Sequence, residues 1–292
     1  MSWDADSMLA FHVVEKSTGI IKSTKYEGDP MGFYHIFNAY EEEGFLMLDA
    51  PFKSAPTSYE LFYVDKLASD PDTLRDYMVA NGPAAGLAKR WVLPLNIPDT
   101  FTPPELRLTD EGLVDPNSYT LLTSAKTGAK AWHVANGTVY LQPELLAPPE
   151  QFEYHRALEF VAINPKHAGK KYRFTQRKLI SYLHYCLLNH RFAYGLGFPT
   201  GYLVGSIQKL DVEEKRITAS WEDPQCRATE PQFVPRPGGS HEEDGVVVFA
   251  CLGTEQGQPS THLIVLEPVN LKELGRFSVP HTTPVGFHGI WV

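Results

Sequence analysis

The sequence predicts an all-β fold with few, short helices, and three observations predict it. Short runs rich in Val, Ile, Thr, Phe and Tyr recur along most of the chain, with Gly, Pro, Asn and Asp between them. Helical periodicity is confined to a few stretches. Strands this short and evenly spaced suit a sandwich, barrel or propeller better than alternating helices and strands. No tryptophan-aspartate or Kelch-type repeat is present, so a propeller would be irregular.

The elements follow in order. FLMLDAPF (45–52) and YELFYVDKL (59–67) read as strands, bounded by Gly44 and the SAPTS linker. SDPDTLRDYMVANG (69–82) reads as a helix: Asp70 caps it, Pro71 suits the first helical position and Gly82 suits the stop. Its surface is polar and carries no evident chemistry. The proline-rich stretches 98–104 and 143–149 read as surface connections. GTVYLQP (137–143) is a strand after an Asn-Gly turn. TQRKLISYLHYCLLNH (175–190) is a second helix, with Leu179, Leu183 and Leu187 on one face and Tyr182 and Cys186 flanking it. RITASWED (216–223), DGVVVFACLG (244–253), THLIVLEP (261–268) and GRFSVP (275–280) are strands. Those from Val246 to Val279 look like three strands of one four-stranded antiparallel unit.

Composition bounds the function. At 292 residues, 43% hydrophobic and 21% charged, the chain is ordinary for a soluble protein. A net charge of −9 without a basic cluster argues against nucleic-acid binding. No apolar run reaches the roughly 18 to 20 residues that span a bilayer. MSWDADSMLAFH carries acids and no basic region, so no secretory signal is expected. Three cysteines (Cys186, Cys226, Cys251) without CxxC spacing predict neither a disulfide scaffold nor a thiolate metal site. A reducing, cytoplasmic compartment is the expectation.

The chemistry concentrates in the histidines. Of 11, His12, His133, His155, His167, His241, His262 and His281 lie beside polar or turn residues and read as surface or structural. His184 and His190 belong to the second helix. His35, in GFYHIFNAYEEEG, and His288, in PVGFHGIWV, instead stand inside apolar runs where leucine would pack at lower cost. Packing and metal ligation both remain open for them, and neutral imidazoles would suit iron, copper, zinc or nickel. Glu159 in ALEFVAINP and Glu230 in ATEPQFVPRP adjoin hydrophobic strands. They read either as rim carboxylates near Arg227 or Arg236, or as acceptors for the outer N–H of ligating imidazoles.

Four blocks in order carry a resemblance. FYHIFNAYEEEG resembles the His-x-x-Asn-Ala-aromatic-Glu block of the carotenoid cleavage oxygenase family, which includes carotene oxygenases and the retinal pigment epithelium isomerohydrolase. LEFVAINPKHAGKKYRF resembles its Glu-Phe-Pro-x-Ile-Asn…Gly-Lys-x-Tyr-Arg block, with Val161 in place of proline. TEPQFVPRPGGSHEEDGVVV and VPHTTPVGFHGIWV resemble its later blocks, and RWVLPLNIP and TVYLQPELL fit between. The resemblance implies a seven-bladed β-propeller whose axis carries Fe(II) on four histidines, with glutamates behind them. His35 and His288 match two iron ligands, Glu159 and Glu230 match two outer carboxylates, and Asn38 would fix the strand presenting His35. The implied reaction is Fe(II)- and O2-dependent cleavage of a conjugated double bond in a carotenoid or apocarotenoid, held in an apolar tunnel. Only peripheral membrane contact is expected.

Two departures qualify the expectation. The match covers about the C-terminal half of the family, from near Phe11 onward, and two upstream histidine ligands have no counterpart. Residues 1–292 therefore read as the C-terminal portion of a propeller, with unpaired sheet edges, inactive on its own. Residues 175–192 interrupt the family spacing between KKYRF (170–174) and AYGLGF (193–198). They read as a helical insertion, an unspliced or alternatively spliced segment that a transcript sequence would test. Retinyl-ester isomerohydrolase activity and a non-catalytic lipid-binding fragment are the competing expectations.

Overall fold

A computed structural model gives the structure of the protein and describes residues 6–53, 63–67, 69–70, 72–73, 76–77, 86–97, 127–134, 137–148, 155–170, 191–199, 205–255, 258–283, 286 and 288–290. Apolar side chains recur at strand spacing in these segments, and they assemble into four β-sheets. The first has the order β1 (Leu9–Phe11), β2 (Lys25–Gly28), β7 (Thr138–Gln142), β6 (Lys130–His133). The second is β3 (Asn38–Glu42), β4 (Phe45–Phe52), β5 (Leu87–Pro94), β8 (Glu144–Leu145). The third is β12 (Arg216–Glu222), β11 (Ser206–Asp211), β10 (Phe192–Pro199), β9 (His155–Ala162). The fourth joins β13 (Cys226–Ala228), β15 (Gly245–Glu255), β16 (Gln258–Leu266) and β17 (Glu273–Val279), and β14 (Gln232–Pro235) also pairs with β15.

Pairing is antiparallel except between β2 and β7, which run parallel. A parallel partner needs a crossover, and here the second sheet's β3, β4 and β5 are part of it.

The sheets pack face on face in the same order. Tyr26, Val139 and Leu141 of the first meet Ala50, Phe52, Trp91 and Leu93 of the second. Tyr40, Met47 and Val92 of the second meet Leu158, Ala193 and Leu210 of the third. Tyr194, Leu196 and Ile207 of the third meet Phe233, Phe249, Ile264 and Leu266 of the fourth. Each such side chain contributes about 1.5–3 kcal/mol of transfer free energy. A strand between two neighbours loses the alternation of a half-exposed sheet, and all six residues of β11 are buried.

The all-β expectation holds, with differences in detail. The strand expected through Leu67 is a helical turn at its end, α1 (Val64–Leu67). Tyr63 and Val64 are exposed there, so no neighbouring sheet holds them extended, and Asp65 suits the first turn of a helix. Helical residues do occur at 72–73 and 76–77, with Asp70 Oδ1 accepting from the N–H groups of Asp72 and Thr73. The stretch 143–149 is no mere surface connection, because Glu144, Leu146 and Ala147 are buried. Glu144 tolerates burial by accepting from Thr127 Oγ1, Gly128 N and Lys215 Nζ.

The unit expected from 246 to 279 has five strands, since β13 and β14 share one flank of β15. Cys226 and Cys251 are joined in a disulfide, a pairing not expected from their spacing. Ala228 lies opposite Cys251, which brings Cys226 near on the adjacent strand. Residues 171–190, with most of the expected insertion, lie outside the described residues.

Candidate metal centre

His35 sits on the loop that leads into β3. Its base is pinned by Gly32 and Lys53, which exchange backbone hydrogen bonds of 2.8 and 2.9 Å. Phe37 N donates to Asp49 O at 3.0 Å on the other side. Asn38, 4% exposed, accepts from Gly169 N at 3.0 Å and donates to Lys170 O at 3.3 Å. This amide ties the histidine loop to the segment that follows β9, the strand carrying Glu159.

His288 lies beyond β17, on a segment tied to β16 by Thr283 N donating to Thr261 Oγ1 at 3.1 Å. Glu230 stands in the break between β13 and β14. One of its oxygens faces His288 Nδ1 at 3.2 Å, and the other accepts from Gly289 N at 2.8 Å.

The two histidines, 253 positions apart in sequence, meet: His35 Nε2 lies 3.3 Å from His288 Nε2. His35 Nδ1 lies 2.6 Å from Glu159 Oε2. An ionised carboxylate only accepts, so each Nδ1 carries the proton and each neutral ring turns an Nε2 lone pair toward the other. Two lone pairs at that separation repel unless a proton or cation lies between them. The hydrogen bond that Glu159 accepts from His35 raises the His35 pKa above the usual imidazole value against the opposing effect of burial, and the charges of Glu159 and Glu230 add to it. The surroundings thus favour positive charge at His35.

Glu159 is 3% exposed, and its Oε1 has no hydrogen-bond partner among the described residues. A buried carboxylate left partly unsatisfied is costly, and a nearby cation offsets that cost. Two neutral imidazoles backed by carboxylates therefore fit a divalent transition metal such as iron(II). Among the described residues, no group of three or more His, Cys, Asp or Glu is arranged to hold a metal ion.

The structure thus brings His35, His288, Glu159 and Glu230 together, and Glu230 faces His288. It also adds Phe160, which sequence reasoning missed. Its ring centroid lies 4.7 Å from His35 and 5.6 Å from His288. The signal that could have marked it, an irregularity in β9, is absent from LEFVAINP itself. His133 and His167, which read from the sequence as surface or structural, are both buried.

A family model described as RPE65, retinal pigment epithelial membrane protein, matches residues 1–176 and 180–292. The chain belongs to this family. Among RPE65-family relatives, the mitochondrial carotenoid-cleaving dioxygenase of Mustela putorius furo is 32% identical over 294 residues, covering 100% of this chain and 47% of the relative. Mouse beta,beta-carotene 15,15'-dioxygenase is 27% identical over 292 residues, covering 100% of this chain and 43% of the relative. The chain therefore spans about half the length of the curated relatives it matches. A crystal structure of a cobalt-substituted Synechocystis apocarotenoid oxygenase aligns over 100% of this chain and 45% of its own, with TM-score 0.62 and 19% identity. That likeness establishes the fold.

Proposed function

We propose that the chain forms part of an Fe(II)- and dioxygen-dependent enzyme that cleaves a conjugated double bond of a carotenoid or apocarotenoid. Its four sheets would be C-terminal blades of a seven-bladed propeller. The observation that carries this reading is the facing pair of imidazole nitrogens, each ring held from behind by a carboxylate. The dioxygenase names of the relatives and the cobalt in a similar structure support it.

His35 and His288 would hold the iron through Nε2. Glu159 and Glu230 fix the tautomer of each ring and offset the cation's charge. When bound, the iron supplies the activation of dioxygen, and the double bond and O2 together become two carbonyl groups. A polyene offers no polar handle, so apolar and aromatic side chains must position it. Phe33, Tyr34 and Ile36 beside His35, and Ile290 beside His288, are exposed and suited to that task. The substrate partitions into lipid, so peripheral membrane contact belongs to the proposal. No helix among the described residues is long and apolar enough to cross a membrane.

The test is equilibrium dialysis of the purified chain against Fe(II) under anaerobic conditions. Weak binding, well below one iron per chain because two of the four implied histidine ligands have no counterpart in it, is expected in the wild type and is lost in His35→Ala and in His288→Ala. Equal iron in wild type and both variants would overturn the reading.

A further inference from the structure

Successive residues of a strand point to opposite faces, yet Glu159 and Phe160 both touch His35. The cause is a bulge in β9. Tyr194 of β10 pairs with Ala162 and Leu196 pairs with Glu159, so two residues of β9, Phe160 and Val161, oppose the single Gly195. Phe160 has φ +50°, the left-handed region that glycine normally supplies at the first position of such a bulge. Gly195 makes the arrangement sterically possible, because a Cβ there would lie 2.6 Å from Leu158 Cδ1 and 3.1 Å from Glu159 O.

The turn at Phe160 has two consequences. Its N–H donates at 2.9 Å to Glu159 Oε2, the same oxygen that faces His35 Nδ1 at 2.6 Å. Its ring lies against both imidazoles, whose own centroids are 4.9 Å apart. A bulky aromatic residue in this backbone conformation is unfavourable and persists only where its surroundings enforce it.

We propose that Phe160 is a positioning residue: its strained bulge turns the Glu159 carboxylate and its own ring onto the same histidine, holding the two imidazoles with Nε2 facing Nε2. The metal-binding consequence rests on the iron reading above, whereas the ring-fixing itself does not.

Two measurements on the full chain keep those apart. In metal-free protein, the His35 Nδ1–H proton is followed by nitrogen-15 NMR. It should be downfield and slow to exchange in the wild type, retained in Phe160→Tyr, and lost or broadened in Phe160→Gly. Glycine accepts the left-handed backbone, so Phe160→Gly removes the ring while keeping the bulge. It should unfold somewhat below the wild-type temperature, because the half-buried ring also packs against the core between the third and fourth sheets. Phe160→Leu, which restores apolar bulk without the ring plane, serves as a second variant and should also broaden the signal. In parallel, Co(II) is titrated by its visible absorption. Phe160→Gly should bind roughly 10- to 100-fold more weakly, and Phe160→Tyr should bind like the wild type. A sharp, slowly exchanging His35 proton in Phe160→Gly overturns the positioning role, whatever the metal result. A wild type that keeps that proton but binds no Co(II) overturns the metal reading and leaves the positioning role standing.

Discussion

Glu159 combines burial, charge and an oxygen without a partner, and these pull its contribution in opposite directions. Ionised and 3% exposed, it is expensive for the fold by itself, and it is useful when a cation shares the pocket. Glu159→Gln keeps the shape and an acceptor for His35 Nδ1 while deleting the charge. Metal affinity should fall by about 10-fold, at the lower end of the range for outer partners, while resistance to urea stays equal or rises. Metal titration and urea denaturation of the same sample check both halves, and unchanged affinity would mean that the charge does nothing for the cation. Glu230→Gln should cost less affinity, because Glu230 is 18% exposed and water screens it.

These residues were legible through the resemblance: the chain's own pattern left packing and ligation open for His35 and His288, and only the family blocks around them and around Glu159 and Glu230 marked the four as one site. Phe160 was not. Its importance arises from a bulge that exists only when β9 is laid against β10, and no local propensity announces that.

At the scale of elements, the β3–β4 hairpin accounts for part of the glutamate run that follows His35. Glu42 pairs with Phe45, leaving Glu43 and Gly44 as a two-residue turn with φ of 49° and 86°. Two positive values define the mirror-image turn that suits the twist of a hairpin. Gly44→Ala should cost about 1–2 kcal/mol, since its Cβ would also lie 2.9 Å from Asn96 Nδ2. Glu43→Asn should gain about 0.5 kcal/mol, because asparagine tolerates that conformation better. Thermal unfolding of both variants measures the pair.

The β17 edge makes a pH-dependent case. Arg276 bonds Glu273 at 3.0 Å through both Nε and Nη2, and this holds the Glu273 pKa below its usual value. A lowered carboxylate pKa binds fewer protons in the native state, so its stabilisation is present above the unfolded value and lost as pH falls through the folded one. Arg276→Gln should therefore be less stable by about 0.2–1 kcal/mol at neutral pH. The gap should close as the pH drops below about 4, as denaturation across a pH series would show.

Across the whole molecule, the sequence revealed the strands but not how they were shared among sheets. β1 and β2 join β6 and β7 in one sheet through the parallel pairing of Lys25 with Thr138, and apolar alternation carries no record of a partner so distant. What holds sheet to sheet is also invisible in alternation, and Lys209 illustrates it. On β11 of the third sheet, it reaches the fourth through an ion pair to Glu243 and a 2.9 Å hydrogen bond to Val269 O. Its ammonium also lies 3.9 Å from the Phe192 ring centroid. The two partners differ in solvent access: the Lys209 side chain is 4% exposed and that of Glu243 is 24% exposed. Breaking the pair is therefore asymmetric. Glu243→Gln strands a buried cation and should cost about 3 kcal/mol. Lys209→Met leaves a carboxylate that can turn to water, and the methionine stem fills the same space, so it should cost about 1 kcal/mol or less. Urea denaturation at neutral pH would read both. The reverse order would mean that the lysine stem, and not its charge, carries the contact between the third and fourth sheets.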